Sequence, residues 1–158
     1  MVLREELSEG IVAITLNRPE SLNALSPALF SELNQIVTEL SKQTDSVGCV
    51  ILRGAGRCFS AGNDLKAVRS GVKAKEKFFQ AKTIDLIEKL PQPTIASVHG
   101  HCLTGALELA LACDLMITSE SANLADTHGK WGMVPGWGMS VRLPRRVGLL
   151  KAKEMMFT

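Results

Sequence analysis

The sequence predicts an α/β fold, because segments with strand-like patterns alternate with segments of helical periodicity. Two stretches rich in small residues, 59–64 and 103–108, each follow a run that is typical of a buried strand. The second stretch also opens an apolar helical run. Backbone N–H groups from two such loops can bind one oxygen that gains negative charge during a reaction. The pattern therefore favours an enzyme.

The N-terminal third is predicted to hold a hairpin, a helix and a strand. Residues 2–7 and 11–16 alternate in polarity, as strands of a β-hairpin do. Ser26 and Pro27 form a typical helix start, since serine caps an N-terminus and proline fits the first turn. The apolar positions that follow at helical spacing are Leu29, Leu33, Ile36, Val37 and Leu40. Residues 49–53 are predicted as the next strand.

The rest of the chain continues the alternation. Residues 73–90 are predicted as a helix that Pro91 and Pro93 end, with apolar positions at Phe78, Phe79, Leu86, Ile87 and Leu90. The remaining predicted elements are a strand at 94–98, a helix at 104–112, short strands at 115–118 and 123–125, a helix that Pro144 interrupts or caps, and a helix at 149–157. The length of 158 residues suits one domain, 1–158.

Composition narrows the classes of protein. A net charge of +2 and dispersed basic residues argue against a nucleic-acid binder. The alternating Lys73, Lys75 and Lys77 are interpreted as a solvated helix face. We expect no membrane span, because no apolar run reaches about 18–20 residues. The N-terminus is not typical of a signal peptide. A cytoplasmic location is expected from the cysteines, which are interpreted below as reduced thiols.

The cysteines and histidines do not predict a metal site. Cys49, Cys58, Cys102 and Cys113 are scattered in mostly apolar runs, which favours reduced thiols. His99, His101 and Cys102 lie close together, but their spacing matches no common zinc pattern. We therefore expect no metal.

Three residues are the first candidates for chemistry. Asn63 and Gly105 would supply the two backbone N–H donors, although both loops could simply be tight turns. Glu108 is a single carboxylate in an apolar helix, and burial would raise its pKa into the range useful for proton transfer. Its alternative role is a structural salt bridge to an arginine.

Asp126 and His128 are two further candidates, placed just after a predicted short strand. Two residues apart in an extended chain, they would point to the same side. His128 is either a general base, a hydrogen-bond donor to substrate, or a surface residue, and Asp126 could orient it. Trp131 and Trp137 are interpreted as packing groups rather than stacking platforms.

Four ordered motifs resemble the crotonase superfamily, the enoyl-CoA hydratase/isomerase family. They are L-N-R-P…L-N-A-L at 16–25, F-S-A-G-N-D-L at 59–65, the V-H-G…D stretch at 98–114, and P-G-W-G…R-L-P…V-G at 135–148. No single motif is specific to this family, but the four motifs in this order are highly specific to it. The resemblance implies a crotonase/Clp-like spiral of β-β-α units. It also implies an acyl-CoA substrate and a role in fatty acid metabolism.

The resemblance also implies site residues. The thioester oxygen of the acyl-CoA would be held by the N–H groups of Asn63 and Gly105, with Glu108 as the first of two catalytic glutamates. The substrate-binding residues implied are Arg18, Leu22, Ala24, Ala61, Asn63, Asp64, Leu65, Lys66 and Gly105. No cofactor is implied, because coenzyme A is part of the substrate.

The chain departs from the family pattern at two places. The hydratases carry their second catalytic glutamate twenty residues after the first, and that position here is His128. Family members also continue past the helix at 151–157 with helices that close the acyl pocket and form trimer contacts. A missing C-terminal helical part and a homo-oligomer, trimer or hexamer, are therefore expected.

The function expected from these features is an acyl-CoA thioester enzyme that stabilises an enolate-like oxyanion. Hydration of a 2-enoyl-CoA, a lyase reaction, is the leading reaction. The alternatives are hydrolysis, decarboxylation or isomerisation of an acyl-CoA with His128, and a non-catalytic CoA-binding protein.

Overall fold

The computed structural model describes residues 1–71 and 76–157, and it confirms an α/β architecture. The strands are β1 (Val2–Ser8), β2 (Ile11–Leu16), β3 (Cys49–Gly54), β4 (Thr94–Val98), β5 (His101–Leu103), β6 (Leu115–Thr118) and β7 (Asn123–Ala125). The helices are α1 (Pro27–Leu40), α2 (Leu65–Arg69), α3 (Phe79–Glu88), α4 (Gly105–Leu111), α5 (Met139–Val147) and α6 (Leu149–Phe157). Short 3-10 turns lie at Pro19–Ser21 and Gly129–Trp131.

Two sheets organise the chain. The larger has the order β1-β2-β3-β4-β6, with β1 antiparallel to β2 and the other neighbours parallel. The smaller pairs β5 with β7 in parallel. Strands β4 and β6 of the larger sheet each lead directly into a strand of the smaller sheet, β5 and β7. The unit β4-β5-α4 is therefore one β-β-α turn of the expected spiral.

Helix α1 begins as the sequence predicts. The Ser26 hydroxyl accepts a hydrogen bond of 3.2 Å from the backbone N–H of Leu29, and Pro27 is the first helical residue. Its buried residues are Leu29, Phe30, Leu33, Val37 and Leu40. Phe30 thus takes a core place that the prediction gave to Ile36, which is only half-buried.

The predicted helix at 73–90 is too long. Helix α3 begins only at Phe79, after a left-handed Phe78 with φ +63°. Phe78 is 63% exposed and Leu86 40%, so neither is the core residue that the helical spacing predicted. The helix ends at Glu88, before Pro91 as expected. Residues 72–75 lie outside the described part of the chain.

Smaller corrections concern the loops. Lys77 lies in a turn, with its ammonium 4.9 Å from the Phe78 ring centre, rather than on a solvated helix face, and Lys73 and Lys75 lie outside the described residues. Helix α2 and strand β5 were not predicted. Strand β5 is only three residues long and needs β7, more than twenty residues later, as its partner.

Candidate active site

Asn23 holds the chain at the first small-residue loop, 59–64, and just before it through hydrogen bonds. Its amide donates to the carbonyls of Ala55 (2.8 Å) and Cys58 (2.9 Å), and its side-chain oxygen accepts from the backbone N–H of Arg18 (2.8 Å). The Ser60 hydroxyl donates to the Asn23 carbonyl at 2.8 Å and accepts from the N–H of Gly62 at 3.1 Å. Asn23 itself is fully buried with φ +53°, a conformation asparagine tolerates.

Replacing Asn23 by alanine is expected to destabilise the protein. The change removes the partner of the buried Cys58 carbonyl and of two part-buried groups, the Ala55 carbonyl and the Arg18 N–H, at a cost of about 1–3 kcal/mol for each group that stays unpaired. The free energy of unfolding should fall by at least about 2 kcal/mol, measured by urea unfolding. Alanine at the exposed Asn123 is the control, and an equal effect there would contradict this role.

Arg18 and Asp64 form an ion pair behind the same loop. The guanidinium lies 2.9 Å from the Asp64 carboxylate and donates to the Ala24 carbonyl at 2.6 Å. Asp64 also caps α2, since its other oxygen accepts from the N–H groups of Lys66 and Ala67 at 3.1 Å. Hydrogen bonds from Arg18 and these N–H groups lower the pKa of Asp64 against the effect of burial.

Five of the predicted substrate-binding residues belong to the hydrogen-bonded network around Asn23 and Asp64 or lie next to it. They are Arg18, Leu22, Ala24, Asp64 and Lys66. Within the described residues, they do not line the two cavities discussed below. Leu22 has φ +53°, and its carbonyl accepts from the N–H of Ala61 at 2.9 Å. The Lys66 side chain is exposed. Their contact with substrate stays a prediction.

The two small-residue loops meet at Gly62. Its φ is +96°, and a Cβ there would lie 2.7 Å from the carbonyl oxygen of Leu103 and 3.6 Å from the backbone nitrogen of Gly105. Glycine is therefore needed for both the backbone angle and the space. This contact brings Asn63, the next residue, beside the start of α4.

Thr104 holds the second loop in a strained conformation. It has φ +55° and ψ −114°, which costs a β-branched residue on the order of 1–3 kcal/mol. Its N–H donates to the carbonyl of Ala125 at 2.8 Å, and its hydroxyl is hydrogen-bonded to the hydroxyl of Thr127. These contacts over-determine the turn that leads into Gly105.

The backbone N–H groups of Asn63 and Gly105 are open. Neither donates a hydrogen bond to any group in residues 1–71 and 76–157. Both residues line one cavity of about 150 Å³, here called the central cavity. Two unpaired N–H donors at one cavity can hold a single oxygen atom that becomes negatively charged.

The central cavity also holds the other candidates. Its lining is Asn63, Thr104, Gly105, Glu108, His128, Met133, Val134, Gly136 and Trp137. A wider cavity of about 450 Å³, here called the outer cavity, shares Asn63, Thr104 and Met133 with it. Ala61 and Leu65, two predicted substrate-binding residues, line the outer cavity together with Trp131. Because they share these lining residues, the two cavities are adjacent and are here called the cleft.

Glu108 is buried, with 1% of its surface exposed, and it makes no salt bridge to an arginine within residues 1–71 and 76–157. One carboxylate oxygen accepts hydrogen bonds from the N–H groups of Trp137 (2.7 Å) and Met139 (3.1 Å). The other lies 3.7 Å from Nε2 of His128. Burial raises the pKa of Glu108, although the two N–H donors and His128 oppose it. The alternative that the sequence left open, a structural salt bridge to an arginine, is therefore not formed in the part of the chain that the structure describes. The catalytic role of Glu108 stays a prediction.

Asp126 orients His128, but not through an extended strand. His128 has helical backbone angles, φ −56° and ψ −44°, so the expected alternation does not apply. Instead one Asp126 oxygen accepts from the His128 backbone N–H at 3.0 Å and lies 2.5 Å from its Nδ1. Because Nδ1 then carries the proton toward Asp126, Nε2 is free to face Glu108. His128 is 8% exposed and therefore not a surface residue.

Stability should depend on pH through Glu108. A carboxyl whose folded pKa is raised contributes stability below its ordinary value of 4.5 and loses it as pH rises through the folded pKa. Relative to the variant Glu108→Gln, the protein should therefore lose free energy of unfolding as pH rises above 4.5. Urea unfolding of both proteins across this range measures the difference, and a constant difference would contradict the raised pKa.

The cysteines and the remaining histidines lie apart from this chemistry. All four thiols are free, and burial raises the pKa of Cys102 and of Cys113 to about 12. Nε2 of His99 is hydrogen-bonded to the Gly56 carbonyl at 2.9 Å, and His101 is exposed. Within the described residues, no three metal-ligating side chains form a group.

The tryptophans differ from expectation in one case. Trp131 is 58% exposed at the outer cavity, so it is not a packing group in the described chain. Trp137 does pack, with its ring edge-on to Phe30 at 5.1 Å between centroids. The contacts of Glu108 with the backbone of Trp137 and Met139 were not predicted, because a backbone N–H donor can belong to almost any residue type.

Comparisons with known proteins agree with the fold and the motifs. A family model described as enoyl-CoA hydratase/isomerase matches residues 6–158. The Arabidopsis thaliana protein named "Probable enoyl-CoA hydratase 1, peroxisomal" is 39% identical over 96% of this chain and 57% of its own length. The mouse methylglutaconyl-CoA hydratase, mitochondrial, is 39% identical over 98% of this chain and 50% of its own.

A solved structure extends the agreement to three dimensions. The crystal structure of enoyl-CoA hydratase from Bacillus anthracis superposes with a TM-score of 0.90 and 39% identity, covering 99% of this chain and 62% of that one. The expected spiral fold is thereby confirmed. The chain spans less than two thirds of the length of each of these relatives. In the part of the chain that the structure describes, no helix is long and apolar enough to cross a membrane.

The match of the family model over nearly the whole chain, the relatives and the solved structure all give one answer. The chain belongs to the enoyl-CoA hydratase/isomerase family.

Proposed function

We propose that the protein is an acyl-CoA thioester enzyme, and that its leading reaction is the hydration of a 2-enoyl-CoA. One observation carries the proposal. The open N–H groups of Asn63 and Gly105 line the same cavity as Glu108 and His128. A thioester carbonyl held by the two N–H groups would be polarised toward an enolate, and the two side chains would exchange protons with the adjacent carbons and water.

The hydration step balances with these two side chains. Nε2 of His128 takes a proton from water as the water oxygen bonds to the β-carbon, and the double-bond electrons move to the thioester oxygen. Protonated Glu108 then gives its proton to the α-carbon, and the thioester carbonyl re-forms. The imidazolium and the carboxylate are left 3.7 Å apart. Proton return from His128 to Glu108 restores the starting state.

A raised pKa suits the role of Glu108 as the acid. Burial keeps a fraction of the carboxyl protonated at pH values where an ordinary glutamate is ionised. The proton would be accepted at Nε2 of His128, because Asp126 engages the other ring nitrogen, Nδ1. The family's two-glutamate arrangement would thus be replaced by a carboxylic acid and an imidazole.

The Asp126–His128 pair also favours a second candidate, thioester hydrolysis. A histidine oriented by a carboxylate can activate water for attack on the thioester carbonyl itself. The same N–H donors would then stabilise a tetrahedral oxyanion, and the coenzyme A thiolate would leave. Decarboxylation, isomerisation and binding without turnover are the other outcomes to be separated.

A panel of thioesters separates these functions. The purified chain is incubated with 2-enoyl-, 3-hydroxyacyl-, saturated acyl- and malonyl-CoA esters, and products are identified by mass spectrometry, with released thiol measured in parallel. Hydration adds one water to the enoyl ester without releasing thiol. Thiol release indicates hydrolysis, and loss of carbon dioxide from the malonyl ester indicates decarboxylation. Conversion of the 2-enoyl ester into a positional isomer of the same mass, resolved by chromatography, indicates isomerisation. Binding without any product would overturn the enzyme assignment.

We also propose that the protein forms a homo-oligomer, a trimer or hexamer by resemblance to its family. Large apolar side chains exposed on the described surface support self-association, among them Leu115, Ile117, Val134, Leu150 and Phe157. Sedimentation equilibrium measures the molar mass, and a monomer at all concentrations would contradict the proposal. The cytoplasmic location stays a prediction.

A further inference from the structure

Arg142 is a buried arginine beside the candidate site. It is 6% exposed, although it lies on the short helix α5. One terminal nitrogen donates to the carbonyl of Trp137 at 2.7 Å. The other donates to the carboxylates of Asp85 and Glu88 on α3, both at 2.6 Å. The guanidinium therefore connects α3 to the turn that precedes α5.

That turn is the one that holds Glu108. The N–H groups of Trp137 and Met139 donate to the same Glu108 oxygen at 2.7 and 3.1 Å. The carbonyl that Arg142 binds belongs to the peptide unit between these two donors. Gly138 has φ +113°, and a Cβ there would lie 2.0 Å from a terminal nitrogen of Arg142. The guanidinium is thus packed directly against the backbone of the turn.

The ion pairs that link α5 to α3 do not by themselves explain why Arg142 is buried. Asp85 and Glu88 have side chains 51% and 43% exposed, and ion pairs at such positions contribute only about 0–1 kcal/mol. Burying a guanidinium is costly, and its Nε has no hydrogen-bond partner among the described residues. These ion pairs also do not explain the hydrogen bond from Arg142 to the Trp137 carbonyl.

We propose that Arg142 is a positioning residue for Glu108. It fixes the peptide between Trp137 and Gly138, and so keeps the N–H groups of Trp137 and Met139 aimed at the carboxylate. Asp85 and Glu88 in turn hold the guanidinium in place. The kinetic consequence rests on the proposed function, whereas the effect on the carboxylate itself does not.

The direction of the effect follows from the charges around Glu108. His128 faces it from the turn at 126–128 with Nε2 at 3.7 Å, Asp126 lies behind His128, and the two N–H donors face it from the other side. N–H donors stabilise the ionised carboxylate. Loss of Arg142 would loosen them, so the pKa of Glu108 should rise further.

The test compares Arg142→Gln and Arg142→Lys with Arg145→Gln, an exposed arginine on the same helix. The pKa of Glu108 is read from ¹³C-labelled glutamate by NMR titration, with its resonance assigned through Glu108→Gln. We expect a higher pKa in Arg142→Gln, partial recovery in Arg142→Lys and no change in Arg145→Gln. Lysine keeps the charge but cannot contact all three acceptors in the same way.

Kinetics on an enoyl-CoA give the second readout. In Arg142→Gln, we expect kcat to fall about tenfold or more with KM within about twofold, and the Glu108 limb of the pH–rate profile to move to higher pH. An unchanged Glu108 pKa in both Arg142 variants would overturn the proposal, even if stability falls. If the pKa moves but the unaltered chain turns over no thioester, the proposed function fails and this inference stands.

Discussion

Replacing Glu108 by glutamine is expected to lower kcat for thioester turnover by about 10²- to 10⁴-fold, the usual contribution of a general acid or base. Glutamine has nearly the same shape, and its amide oxygen can accept the hydrogen bonds that Trp137 and Met139 donate. The site should therefore keep its geometry and lose only the exchangeable proton. Binding of a non-reacting acyl-CoA, measured by calorimetry, should stay within about twofold.

The matched control is glutamine at Glu120, an exposed glutamate outside the two cavities. That change should leave both turnover and binding as they are. Unchanged turnover in Glu108→Gln would remove Glu108 from the mechanism and with it the two-residue proton cycle. Loss of binding together with turnover would instead assign Glu108 a structural role in the cleft.

Alanine at Gly105 should have the second large effect. Its Cβ would lie 2.4 Å from an atom of the Trp137 ring, so the indole has to move. That movement displaces the backbone of Trp137, which donates to Glu108, and shifts the N–H of residue 105 itself. Removing one oxyanion donor costs about 10²–10³ in kcat, and the loss here should be at least as large.

Stability should change much less than activity in the same variant. Alanine favours a helix over glycine by about 1 kcal/mol, which opposes an overpacking cost of about 1–3 kcal/mol. The control is Gly48→Ala, where the nearest atom to a new Cβ is the Gly10 carbonyl oxygen at an ordinary 3.7 Å. Steady-state kinetics and urea unfolding measure both effects. Full activity in Gly105→Ala would exclude its N–H from the mechanism.

Local patterns were sufficient to predict most of the fold. Strand β2 is encoded by an apolar, β-branched run, and helix α1 by the Ser26-Pro27 start and by apolar periodicity, and all of these act within a few residues. The alternation expected for β2 is absent, because five of its six residues are buried. Strand β5 was missed because three residues carry too little pattern and its partner is distant in sequence. The start of α3 was misplaced because the apolar Phe78 is exposed in a left-handed turn.

The candidate site was predictable only where a residue type is itself unusual at its position. A carboxylate inside an apolar helix marked Glu108, and two small-residue loops marked Asn63 and Gly105. The pairing of Asp126 with His128 was predicted, but from an extended backbone that the structure does not have. A side chain that binds the backbone N–H of a residue two positions later leaves no periodic pattern in the sequence. The burial of Arg142 was not predicted, since it is one of three arginines on its helix and nothing in the residue type distinguishes it from the exposed two.

The positions of Trp137 and Trp131 allow tryptophan fluorescence to report on binding in the cleft. These are the only two tryptophans of the chain, and one lines the central cavity while the other lines the outer cavity. All indole fluorescence therefore originates at the walls that a bound molecule would touch. A ligand that fills either cavity is expected to change the emission of the whole protein, which provides an optical titration without any added label.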